Sequence, residues 1–294
     1  MTGAVRRTLA GPVAFEGYGL FSALASRLVI YPAAVPRGIT LRRTDLPDQP
    51  EISATVDHVV TRPRQTVLTA HPGSSGGEPG IHTVEHVMSA LAALGITDAR
   101  LELHGAEVPM ADGSSEPFAR AILAAGVVPL AGPAPSPIVV RSVLRVRDNG
   151  SWIEATPSDG PYLEAEYRLD YGAGAPMASQ SYTFRLSPER PDADAYMKEI
   201  APARTFCTSQ EAEAMRAAGL FSHLRPCDVL VIGPAGPIDT SYRFEREPAR
   251  HKVLDMIGDL ALAGRPIHGK VVAHKSGHAL NHAMARELLA HAGA

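Results

Sequence analysis

Only two cysteines, Cys207 and Cys227, occur in the 294 residues, and they form no CxxC pair. That excludes a disulfide scaffold and a cysteine-type zinc finger, and it fits a reducing compartment. Charge of one sign is also scarce. A formal net charge of −3 lacks the basic excess of a general nucleic-acid binder, although local cations could still hold a phosphate. No stretch of 18 apolar residues occurs, so no spanning helix is expected. The N-terminus holds Arg6-Arg7, but Gly11-Pro12 break the apolar stretch after them, so a signal peptide is not expected either. A P-loop is missing. Gly17-Tyr18-Gly19-Leu20-Phe21-Ser22 starts like a dinucleotide fingerprint but lacks the third glycine and a βαβ setting. What remains is a soluble cytoplasmic protein without stable membrane insertion. With 45% hydrophobic and 20% charged residues it can bury a core, as one large domain or two of ordinary size.

The clearest seam is the Pro-rich stretch 131–137, suited to a short stiff linker. It divides a first α+β domain (1–130) from a second (138–294). Strand-like runs in the first half cover Arg27–Tyr31, Ile39–Leu41, Ile52–Val56 and Thr66–Leu68. A helix is predicted over about Ile81–Leu94, from the apolar stripe Val84, Val87, Met88, Leu91 and Leu94, with Gly95 to stop it. A strand (Ala99–Leu103) and a helix (about Glu116–Ala124) follow. The second half repeats the plan with strands at Ile138–Val146, Trp152–Ala155, Tyr162–Leu169, Ser181–Leu186 and Val229–Ile232. Its helices are predicted near Ala193–Ile200, Gln210–Ala218 and Pro248–Ala263. Individual letters repeat as well. His82-x-Val84-x-His86 reaches Gly95 over 13 positions, and His251-x-Val253-x-Asp255 reaches Gly264 over 13. A duplicated α+β unit with one metal between the halves is the economical reading, with His86 and Asp255 in equivalent places.

His251 and Asp255, at i and i+4, project from one helical face, and Asp259 lies a turn further on. A solvated polar stripe would read the same way. The rest of that segment is apolar, however, and buried polar groups need partners, which a metal would supply. His82-x-x-Glu85-His86 has the HxxEH spacing of the inverted zincin peptidases. In that reading both histidines are ligands and Glu85 is the base; the bland alternative is a helix start that happens to carry them. Zinc in hydrolases takes three protein ligands and keeps a position for water, whose pKa falls to about 7 there. Ser276-Gly277-His278 is a turn carrying a histidine into another short helix. That histidine is a general-acid candidate, with Asp259 to orient it. His58, His71, His104, His268, His274, His282 and His291 receive no role. The segment Glu107 to Ser114 reads as a turn feeding a helix.

These motifs, in this order, resemble the UDP-3-O-acyl-N-acetylglucosamine deacetylase (LpxC) family, the zinc amidases of lipid A biosynthesis. The resemblance runs through Arg7-Thr8-Leu9, Gly17-x-Gly19-Leu20, Arg42-Arg43-Thr44-Asp45-Leu46, Thr83-Val84-Glu85-His86 and Leu94-Gly95-Ile96. It continues through Pro109, Asp112-Gly113-Ser114, Pro117-Phe118, Ala203-Arg204-Thr205-Phe206 and Arg243-Phe244-Glu245. It ends with Arg250-His251-Lys252-x-Leu254-Asp255-x-Ile257-Gly258-Asp259-Leu260 and Lys275-Ser276-Gly277-His278-Ala279-Leu280-Asn281. It implies two similar α+β domains whose helices are sandwiched between two sheets, with zinc at the domain interface held by His86, His251 and Asp255. Glu85 would be the base. His278, held by Asp259, would protonate the departing amine, and Thr205 would stabilise the oxyanion. Lys252, Lys275 and Phe206 would bind an acylated UDP-N-acetylglucosamine. Iron(II) suits the same ligands, and a monomer is expected. The family's counterpart of His82 is not a ligand, which leaves the peptidase reading as an alternative beside a paralogous amidase and a non-catalytic zinc-binding relative.

Three departures stand out. Phe21 replaces a histidine near the start, Cys207-Thr208 replaces Gly-Phe, and Ser222 to Asp228 replaces a Gly-Gly-Ser segment. The last two fall where the family forms its acyl passage, so altered acyl recognition is expected.

Overall fold

Strands that alternate apolar and polar residues build two main sheets, because successive side chains point to opposite faces. Leu163–Leu169, for example, buries Leu163, Ala165, Tyr167 and Leu169 and turns the residues between them outward. The computed structural model describes residues 5–71, 79–187, 191–221, 223–224 and 228–293. It is a mixed α/β fold with several sheets and six α-helices among those residues.

The first main sheet has the order Val13–Tyr18, Ala25–Pro32, Ala99–His104, Ile39–Arg43, Glu51–Ser53. The second has the order Leu144–Asp148, Ser151–Thr156, Ile267–His274, Leu163–Leu169, Gln180–Leu186, with the short strand Ile138–Val139 added beside Ile267–His274. In both sheets the strand latest in sequence lies at the centre. It runs antiparallel to one neighbour and parallel to the other. Each half also carries a three-stranded sheet: Val59–Arg62, Gln65–Thr69 and Gly80–His82 in one, Phe206–Thr208, Leu230–Gly233 and Gly236–Pro237 in the other.

The helices are α1 (Glu85–Ala93), α2 (Glu116–Ala125), α3 (Ala193–Glu199), α4 (Ser209–Ala217), α5 (Glu247–Ala261) and α6 (His278–Ala292). Their ends follow local chemistry. A Thr208–Glu211 capping box opens α4, and a proline stands in the first turn of α2 and of α5. Gly95 and Gly264, after α1 and α5, take φ of +67° and +68°, the left-handed conformation that ends helices and favours glycine. α1 and α5 pack directly on each other. Gly258 permits this, since a Cβ there would collide with the carbonyl oxygen of Glu85. One continuous core joins Leu28, Ile30 and Leu101 of the first sheet, Val87 and Leu91 of α1, Leu254 and Ile257 of α5, and Ala165 and Tyr167 of the second sheet.

The structure differs from the sequence expectations in three places. α1 starts at Glu85, four residues late, because Ile81 and His82 pair with Leu68 and Val67 in a sheet. Thr83, at φ +58°, makes the break. The first residues of the expected linker belong to the strand Val127–Pro133, which pairs with Val5–Leu9. The helix after Gly277 is not short, running 15 residues. Of the divergent segment, Ser222 and residues 225–227, Cys227 included, lie outside the described residues.

Candidate active site

α1 contributes His86 and α5 contributes His251 and Asp255, and all three are buried. One ligand-type atom from each lies within 4.8 Å of the others. Asp255 Oδ1 stands 3.6 Å from His86 Nε2 and 3.4 Å from His251 Nε2. That oxygen is buried and has no hydrogen-bond partner among the described residues, which is costly for a carboxylate unless a cation completes it. His251 Nδ1 lies 3.0 Å from the carbonyl oxygen of Ala203. Donation there leaves the Nε2 lone pair facing the cluster, the usual arrangement around a metal-bound histidine. Burial pushes the His251 imidazole down to about 4, against the pull of Asp255, so it stays neutral as a ligand must. Two imidazoles and a carboxylate therefore fit a divalent ion of the zinc or iron(II) type.

Thr205 Oγ1 stands beside this cluster, 3.4 Å from His86 Nε2 and 3.3 Å from His251 Nε2. Its backbone is held on both sides: Thr205 N donates to Gly113 O at 2.7 Å and its carbonyl accepts from Leu230 N at 2.8 Å. Lys252 Nζ donates to the second oxygen of Asp255 at 2.7 Å. Burial disfavours that ammonium, but the Asp255 charge outweighs burial and raises its pKa.

Glu85 ligates nothing in the cluster. Its Oε2 accepts from Thr66 N at 3.1 Å and its Oε1 lies 3.7 Å from His278 Nε2. Burial raises its pKa, with His278 and His86 pulling the other way. His278 opens α6 and places Nδ1 2.8 Å from Asp259 Oδ2. Burial works against the imidazolium, but Asp259 and Glu85 overcome it and push the pKa up to about 9. A carboxylate suited to accept a proton thus faces an imidazolium suited to give one.

These groups line a cavity of about 420 Å³. Lys275 lies on its wall at φ +53° and donates to Asp170 Oδ2 at 3.2 Å. Thr83, also left-handed, is on the wall as well, so strained backbone forms part of the wall. Phe206 meets the His251 ring edge-on, with centroids 6.1 Å apart. At one end the wall is apolar: Leu20, Phe21, Cys207, Phe221 and Val229. The Phe21 and Phe221 rings lie 5.9 Å apart.

The structure thus brings together Glu85, His86, Thr205, Phe206, His251, Lys252, Asp255, Lys275 and His278 on one cavity, with Asp259 directly behind His278. His82 is elsewhere: it sits on a strand with Nδ1 3.0 Å from Gln65 Oε1 and is not part of the cluster. Sequence reasoning missed Thr66 and set aside His282, yet both touch Asp259. It also read Glu107 as part of a turn. This buried carboxylate accepts from Thr83 Oγ1 at 2.8 Å, Phe21 N at 3.1 Å and Ser22 N at 2.8 Å, so it fixes two loops of the wall.

Comparison with known proteins identifies a family. The family model described as UDP-3-O-acyl N-acetylglycosamine deacetylase matches residues 6–290. A protein named UDP-3-O-acyl-N-acetylglucosamine deacetylase from Anaeromyxobacter dehalogenans is 39% identical over 287 residues, covering 97% of this chain and 87% of its own. One of the same name from Nostoc sp. is 35% identical over 286 residues, covering 97% and 98%. Another from Leptospira biflexa is 32% identical over 281 residues, covering 96% and 88%. A match along nearly the whole chain, by relatives this similar, means that the chain belongs to the UDP-3-O-acyl-N-acetylglucosamine deacetylase family.

Proposed function

We propose that the chain hydrolyses the N-acetyl group of a UDP-3-O-acyl-N-acetylglucosamine in lipid A biosynthesis, releasing acetate and leaving a free 2-amino group. The observation that carries this is the orphaned Asp255 Oδ1, buried between two histidines beside Glu85 and His278, in a chain matched by this family along nearly its whole length. His86, His251 and Asp255 would hold zinc, which polarises an amide carbonyl and acidifies water. Iron(II) fits the same donors.

Glu85 accepts the proton of the attacking water. The Thr205 hydroxyl donates to the oxygen that gains negative charge as the amide carbon becomes tetrahedral. His278 gives its Nε2 proton to the departing nitrogen, and Asp259 keeps that ring oriented through Nδ1. Lys252 and Lys275 supply charge for the diphosphate, and Phe206 packs on the sugar. The same reading makes the enzyme a cytoplasmic monomer acting on a soluble nucleotide sugar.

It also makes the chain a duplication, with units at 1–130 and 138–294 joined through 131–137, helices between the main sheets, and the metal at their interface. The support is the shared strand order and direction of the two main sheets and the contact of α1 with α5.

The metal-loaded protein incubated with the acylated nucleotide sugar should lose one acetyl group by mass spectrometry; no loss with metal bound overturns this substrate. A second reading, the same chemistry on a sugar with a different acyl group, is favoured by the apolar wall, where Phe21 and Cys207 stand in place of the family's usual residues. An acyl-length series in the same assay separates the two.

The proton carriers set the pH dependence. A raised His278 pKa means that the acid is present below about 9 and is lost as pH rises through that value. Burial raises Glu85, so the base is lost on acidification at a higher pH than for an ordinary glutamate. The kcat/KM profile, which reports the free enzyme's acid and base, should therefore be a bell with its alkaline limb near 9. His278→Gln should remove that limb, and an unchanged limb would assign the acid to another group.

A further inference from the structure

We infer that Thr66 and His282 are positioning residues that set the distance between the catalytic base and acid, an inference that rests on the deacetylase reading above. Thr66 is fully buried on the strand Gln65–Thr69 and acts through two different groups. Its backbone N–H holds Glu85 Oε2 at 3.1 Å. Its hydroxyl lies 2.6 Å from Asp259 Oδ1, 3.0 Å from His282 Nε2 and 3.3 Å from His278 Nδ1.

The directions of these bonds follow from what each group can do. A buried carboxylate is acceptor-only, so the single hydroxyl proton goes to Asp259. The Thr66 oxygen then has only lone pairs left for His282, and His282 must carry its proton on Nε2. His282 Nε2 is also 3.2 Å from Asp259 Oδ1. Its Nδ1 is buried with no partner among the described residues, so nothing there competes for the proton. Asp259 consequently receives Thr66 and His282 on Oδ1, and His278 Nδ1 and Asn281 Nδ2, each at 2.8 Å, on Oδ2. Filling Oδ1 leaves Oδ2 to aim His278.

The charged and titratable groups around this centre are Asp259 on α5, His278 and His282 on α6, and Glu85 on α1. They meet at one threonine of a strand that is paired on both sides. Without that tie, the 3.7 Å gap between Glu85 Oε1 and His278 Nε2 would depend on two separate helices. Neither residue touches the cluster of His86, His251 and Asp255, so their effect should reach the proton transfers and leave metal binding alone.

The test is Thr66→Val, which keeps the backbone N–H and loses the hydroxyl. A hydrogen bond to a charged group contributes enough that kcat should fall about tenfold or more, with KM and bound metal unchanged. Thr66→Ser should restore kcat. In an Asp259→Asn background the same change should cost far less, because the hydroxyl acts through that carboxylate. Long-range proton–nitrogen NMR of the metal-loaded protein should show His282 protonated at Nε2, and Thr66→Val should disturb that signal and the Nδ1 proton of His278. The spectra are independent of turnover. A wild type that shows the Nε2 tautomer but no deacetylation overturns the substrate and keeps the hydrogen-bond chain. A His282 protonated at Nδ1, or Thr66→Val with full kcat, overturns the inference.

Discussion

Glu85→Gln is expected to lower kcat by about 10²–10⁴-fold, the usual contribution of a positioned general base, while the metal stays bound. Glutamine keeps the size of the side chain and an oxygen to accept from Thr66 N, so the wall of the cavity should hold its shape. The lost oxygen, Glu85 Oε1, faces His278 Nε2 from 3.7 Å, and glutamine cannot take a proton at any working pH. The cluster of His86, His251 and Asp255 does not include Glu85, so metal content should be unchanged by elemental analysis. Loss of both activity and metal would make Glu85 a ligand, contrary to its assignment as base. Activity within a few-fold of wild type would put the base elsewhere.

How much of this arrangement could be read from the sequence depended on how far apart the interacting residues are in the chain. His251, Asp255 and Asp259 share one helix, so their i, i+4 spacing was readable, and Gly95 and Gly264 marked where α1 and α5 end. Strands with clean alternation, such as Leu163–Leu169, were placed within a residue. The start of α1 was not, because the apolar positions Ile81 and Val84 fit a helix as well as the sheet pairing that claimed Ile81. α1 is buried on nearly all sides, and such a helix leaves no polar face to fix its limits. Thr66 meets Asp259 across 193 residues and His282 across 216, and no local pattern encodes such a meeting. Glu107 looked like part of a turn because its partners, the amides of Phe21 and Ser22, are 86 and 85 residues away.

Arg204→Ala should be the most destabilising single change among the residues around the site, at about 3–5 kcal/mol, the cost of breaking a buried ion pair from one side. Arg204 is 3% exposed and Glu247 0%. The guanidinium grips the carboxylate twice, Nε to Oε1 at 2.8 Å and Nη2 to Oε2 at 3.1 Å, and it also donates to Ser241 O at 2.7 Å. Alanine leaves Glu247 with the amides of Arg204 and Arg243 and the positive end of α5, which offsets only about 0.3–2 kcal/mol. The remaining buried charge must be solvated or protonated, and either route loosens the first turn of α5. That turn leads directly to His251, while Arg204 itself precedes Thr205, so activity should fall along with stability. Urea unfolding followed by circular dichroism reads the cost as a lower midpoint with the slope unchanged. Arg204→Met with Glu247→Leu should recover most of the stability, since apolar pairs often replace buried ion pairs at little cost. If the double variant is as unstable as the single one, the penalty comes from lost packing and not from the stranded Glu247 charge. If Arg204→Ala costs under about 1 kcal/mol, in the range of an exposed pair, water reaches Glu247, and the pair does not anchor the helix that carries His251 and Asp255.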